Sequence, residues 1–127
     1  MNYYIASEVD GRFEDVVTRT KEALNAEGFG VLTEIDVQKT LKEKIGADFR
    51  RYVILGACNP KLAHAALTAE DKIGVLLPCN VIVQEKEKSV EVAAVDPVMS
   101  IGRVDRDELL ATAKDVKTRL ARVIDAI

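Results

Sequence analysis

The sequence predicts an α+β fold of order strand, helix, four strands, helix, with a mainly antiparallel sheet and the major helices on one face. Three observations predict it. Apolar residues recur three or four positions apart from Phe13 to Leu24 and again from Leu109 to Ile127, the spacing of amphipathic helices. Short runs rich in strand formers precede the first of these segments and fill the interval between the two. The connections between those runs hold only small helices or tight turns.

In chain order, residues 3–9 form the first strand, stopped by the turn pair Asp10-Gly11. The first helix buries Phe13, Val16, Val17, Thr20 and Leu24, and Gly28 suits the left-handed position beyond its end. Gly30–Asp36 is the second strand, and Val37–Ile45 is a short amphipathic helix ended by Gly46. The third strand, 51–58, is apolar on both sides: Val53, Leu55 and Ala57 on one, Tyr52, Ile54 and Gly56 on the other. Such a strand is covered on both faces. The helices cover one face, and the segment 73–77, a second subunit or a ligand is expected over the other.

Asn59-Pro60 marks a helix start, because the Asn side chain accepts from an orphan amide and Pro has no amide to leave unpaired. The helix Pro60–Ala69 then buries Leu62, Ala63, Ala66 and Leu67. Cys79–Glu85 and Val90–Val95 make a hairpin around the charged turn Lys86-Glu87-Lys88. The last helix opens on Asp105 and Glu108, spaced as a capping box, and presents Leu109, Ala113, Val116, Leu120, Val123 and Ile127 on one stripe.

Composition limits the function. The 127 residues are 48% hydrophobic, 31% charged and 5% aromatic, enough for one packed core and one domain over 1–127. Lys plus Arg number 18 against 21 Asp plus Glu, a net charge of −3, and the basic residues are dispersed. That balance argues against a nucleic-acid partner. No apolar run approaches the ~20 residues of a membrane helix, so no membrane partner is expected. Residues 1–9 hold Glu8 and no basic cluster, unlike a signal peptide. Two cysteines make no disulfide framework, and a reducing cytoplasm is the expected setting.

If the last three strands form a meander, the third ends at Cys58 where the fourth begins at Cys79, and the fifth delivers Asp96, Pro97 and Met99 to the same end. One rim then gathers Cys58, Asn59, Cys79, Asn80, Asp96 and Met99. Several chemistries remain open for it. The cysteines pack as small hydrophobes in the simplest case. Cys58 also precedes a helix N-terminus, a position that favours a nucleophilic thiol. Thiolate and thioether together suit a soft metal. His64, the only histidine, points away from the apolar side of its helix. No phosphate-binding glycine loop, zinc motif, nucleophile elbow or CxxC is present, and no metal ligand set is assigned.

The stretches Gly56-Ala57-Cys58-Asn59-Pro60 and Leu76-Leu77-Pro78-Cys79-Asn80-Val81, with Asp96-Pro97 and Met99, resemble the prokaryotic family called "domain of unknown function 302". The resemblance spans nearly the whole chain. It implies an α+β fold similar to half of a TATA-binding-protein-like fold, and a homodimer. It carries no established activity and names no cofactor. The resulting expectation is a cytoplasmic homodimeric module that binds a small ligand or a partner at the rim. The alternatives are a sulfur-transfer or redox protein using Cys58 and Cys79, and a soft-metal or haem carrier. No catalytic base or oxyanion site is legible, so an enzyme is not asserted.

Overall fold

The computed structural model describes residues 2–127; Met1, part of the segment read for a leader, lies outside them. The elements follow as β1 (Tyr4–Val9), α1 (Phe13–Ala26), β2 (Gly30–Asp36), α2 (Val37–Ile45), β3 (Tyr52–Cys58), α3 (Pro60–Ala69), β4 (Cys79–Glu85), β5 (Val90–Val95) and α4 (Asp107–Ala126). Short 3-10 turns occupy Asp71–Leu76, Pro97–Met99 and Ile101–Arg103. This is the α+β order that the sequence predicts.

The five strands form one sheet in the order β1-β5-β4-β3-β2, antiparallel at every step. The meander β3-β4-β5 is therefore present, with β2 and β1 added at its two edges. Pairing of β2 with β3 slips between Val31 and Thr33, which leaves Leu32 as the extra residue of a bulge.

One face of the sheet lies against α1 and α4. Leu55, Val81, Val83 and Val92 are fully buried there, against Val16 and Leu24 of α1 and Leu120 and Val123 of α4. Each such side chain contributes about 1.5–3 kcal/mol by leaving water. Thr20 is the polar member of the α1 stripe; it is fully buried and donates its hydroxyl to the Val16 carbonyl at 2.7 Å. A second, smaller cluster joins Ala66, Ile73, Ile101, Leu109 and Ala113 beside the first.

Two local expectations change. The run 73–77 does not cover the second face of β3. It lies within and just after the 3-10 turn Asp71–Leu76, and its Ile73 packs with α4's Leu109 and Ala113. The capping box at Asp105 does not form either. Arg106 is the N-cap of α4 and offers no side-chain bond, because a guanidinium has no acceptor for an orphan amide; the Arg106 amide bonds back to the Val104 carbonyl at 2.8 Å, and the helix starts one residue later than expected. Asp107 and Glu108 in the first turn instead face the positive end of the helix dipole.

The face opposite α1 and α4 carries an apolar row across all five strands. Ala6 pairs with Ala93, Ala93 with Ile82, Ile82 with Ile54, and Ile54 with Ile35. Ile35 at the β2 edge is 46% exposed and Tyr4 at the β1 edge 40%.

Candidate functional site

The site begins with the start of α3. Asn59 has extended backbone, and its Oδ1 accepts the Leu62 amide at 3.3 Å; Pro60 follows as the first helical residue. This fixes α3 across the end of β3 and β4, with Leu62, Ala63 and Ala66 turned toward the sheet. The two alanines are too short to fill the space beneath them. A pocket of about 340 Å³ remains between α3, the β2–β3 end and α4. Phe29, Ala57, Cys79 and Val116 form its deep wall. Leu32, the bulge residue, is 68% exposed and stands at its mouth with Leu67, which the sequence expects to be buried but which is 42% exposed because Ala66 takes the inward position of that turn of α3. The pocket lies at the seam between the two core clusters: Phe29 and Val116 belong to the larger, Ala66 and Ile101 to the smaller.

Cys58 and Cys79 both line this pocket and both are free thiols, the first half-buried and the second buried. Cys79 pairs with Ala57 across the β3–β4 ladder, so its side chain shares the core-facing side. Burial pushes its thiol up to about 11, with a smaller contribution from the neighbouring Cys58. Cys79 therefore stays protonated at neutral pH, which removes the driving force for nucleophilic attack from its sulfur.

The other sequence-predicted residues lie elsewhere. Asn80 is exposed on the opposite face, paired with Gly56. Asp96 and Met99 do emerge at the expected end of the sheet, but they line a separate groove with Tyr4 and Lys117. Helix α4 divides the two sites: Thr112 and Val116 face the pocket, while Lys117 faces the groove. Asp96 is buried and fully engaged. Its Oδ1 accepts the Val98 amide at 3.0 Å and its Oδ2 meets Lys117 Nζ at 2.9 Å. The six candidates thus do not share one cavity; Cys58, Asn59 and Cys79 do. His64 is exposed on α3, and among the described residues no three His, Cys, Asp or Glu side chains converge as a metal site. Phe29, Leu32, Thr33 and Val116 line the pocket without having been singled out by sequence as site residues. Strand periodicity reaches neither Leu32 nor Thr33, because the bulge at Leu32 resets it between Val31 and Thr33.

Comparison with protein families matches residues 5–127 to the domain of unknown function DUF302. The chain belongs to this family. Among solved structures, the DUF302 chain is similar to an uncharacterised conserved DUF302 protein from Bacillus stearothermophilus, at 31% identity and a TM-score of 0.92, over 99% of this chain and 98% of that one. No curated protein matches it. The α+β sheet described above is thus a DUF302 fold. Among the described residues no helix is long and apolar enough to cross a membrane.

Proposed function

We propose that this DUF302 chain is a binding module whose ligand enters the pocket beneath α3. The carrying observation is the pocket itself: about 340 Å³, walled by buried apolar side chains, with Asn59 and Cys58 at its edge. A folded chain ordinarily fills such space, since an unfilled apolar cavity forfeits packing at about 24 cal/mol per Å³. Binding sites are where such space is retained. Two free thiols fit a cytoplasmic setting.

The test is native mass spectrometry of the untagged protein, purified without oxygen or chelator. Retained mass that is lost from an Ala63→Leu variant supports the reading. A bare protein that also takes up no apolar probe in solution rejects it.

The same reading makes the protein a homodimer joined through the open face of the sheet. Its support is the row from Ala6 to Ile35, which leaves apolar side chains partly in water on a single chain. A second copy of the same row would cover it.

A redox reading stands second, favoured by the sharing of one pocket by Cys58 and Cys79. It assigns the attack to Cys58, because Cys79 holds its proton. Alkylation of Cys58 no faster than that of an unfolded control peptide would reject it. A soft-metal or haem carrier has less support, since Met99 lines the other groove and His64 is exposed.

A further inference from the structure

The polar groups of the pocket limit what it accepts. Among the described residues its lining holds no Asp, Glu, Lys, Arg or His. A carboxylate, phosphate or ammonium placed there would lose water without gaining a counter-charge. Thr112 is already committed, because its hydroxyl donates to the Glu108 carbonyl at 3.0 Å.

Asn59 is different. The Leu62 N–H must face an oxygen, so the cap fixes which branch of the amide is Oδ1 and leaves Nδ2 on the other. Among the described residues, the side-chain hydrogen bond of Asn59 is the one to Oδ1, and Nδ2 stands next to Gly28, which has no side chain to accept from it. Among the described residues no buried side-chain nitrogen or oxygen lacks a partner, so this half-buried NH2 keeps exposed surface; it stands beside Gly28, on a residue that lines the pocket. The Asn59 amide donor therefore stands with the Thr33 hydroxyl as the polar side-chain groups left on an otherwise apolar wall, and the amide is the one whose oxygen is already spent on the cap.

Size adds a second constraint. A cavity of about 150 Å³ holds a benzene ring, and this one is about twice as large at about 340 Å³. Resting on the reading of this pocket as the ligand site, we propose that the ligand is uncharged, with an apolar body of roughly bicyclic size and a single carbonyl that accepts from Asn59 Nδ2.

Three naphthalenes of matched shape test this with the full chain. They are 2-acetonaphthone, 2-ethylnaphthalene and, at pH 8, the 2-naphthoate anion. The chain has no Trp, so naphthalene fluorescence reports binding directly. The ketone is expected to bind about five-fold tighter than the ethyl compound, the worth of one hydrogen bond. The naphthoate is expected to bind at least about a hundred-fold more weakly than the ketone. Asn59→Ser keeps an oxygen for the Leu62 amide and replaces the NH2 by a shorter hydroxyl held at the cap; it should reduce the ketone's advantage over the ethyl compound without abolishing it. Asn59→Asp also keeps the cap, and with an acceptor in place of the donor it should bind the ketone more weakly than the ethyl compound.

Naphthoate binding as tight as the ketone's would overturn the proposal while leaving the pocket a ligand site. So would a ketone preference absent from the wild type or undiminished in both Asn59 variants. Failure of all three probes to bind, or binding untouched by Ala63→Leu, would remove the pocket as the ligand site altogether.

Discussion

Lys117 Nζ lies 2.9 Å from Asp96 Oδ2, on the far side of α4 from the pocket. The pair ties the end of β5 to the middle of α4, and the other oxygen of Asp96 holds the turn Pro97–Met99 through the Val98 amide. A residue that a ligand rim would use is thus spent on structure. Asp96→Asn keeps an oxygen for Val98 and should cost under about 1 kcal/mol, because Lys117 is half exposed. Asp96→Ala also loses the cap and should cost about 1–2 kcal/mol. Urea denaturation measures both, and naphthalene binding should be unchanged in each.

Two glycines past helix ends separate strain from collision. Gly46 has φ +67 and nothing within 4 Å of a built Cβ, so Gly46→Ala should cost about 1 kcal/mol from backbone strain alone. Gly28 has φ +85, and its Cβ would stand 3.0 Å from Asn59 Nδ2. Gly28→Ala should therefore cost more than Gly46→Ala, and should also weaken the ketone probe by moving the amide. Equal losses in the two variants, with binding intact, would contradict the assigned position of Nδ2.

The buried thiol makes stability depend on alkaline pH. The Cys79 thiol is raised from an ordinary 9.0 to about 11. Between these values the unfolded chain gives up the proton while the folded chain keeps it. The stabilisation is complete below about 9 and is lost as pH rises toward about 11. Unfolding free energy should fall across that window more steeply in the wild type than in Cys79→Ala. Parallel curves would mean that the thiol is not buried in solution.

The dimer reading predicts the effect of one charge on the open face. Ile82 sits at the centre of the apolar row, between Ala93 and Ile54. Ile82→Lys should convert a dimer to a monomer in sedimentation equilibrium, with the pocket probes still bound. A wild type that sediments as a monomer at all concentrations would reject the open face as a dimer interface.

Much of this was legible in local sequence. The stripe Leu109, Ala113, Val116, Leu120 and Val123 is the buried side of α4, because helical spacing places those residues on one side whatever lies opposite. Gly28 and Gly46 take positive φ, and Asn59 caps α3, because a helix end imposes these needs on the few residues nearest it. The Asp105 cap was misread for a related reason. Its pattern is sound locally, but the backbone bond from Arg106 to Val104 set the helix start.

The site was legible only in part. The sequence determined the elements, the inward faces of α1, α4 and the strands, and the end of the sheet at which Cys58, Cys79 and Asp96 emerge, since each depends on neighbours in the chain or on strand direction. The tertiary structure decided which of those residues meet. Placement of α4 across that end puts Asp96 with Lys117 and Cys79 with Phe29 and Val116, contacts between residues far apart in sequence. The pocket has the same origin. It is space left between two packed clusters, where Ala63 and Ala66 of α3 stop short of the sheet, and no periodicity along the chain encodes a gap between surfaces.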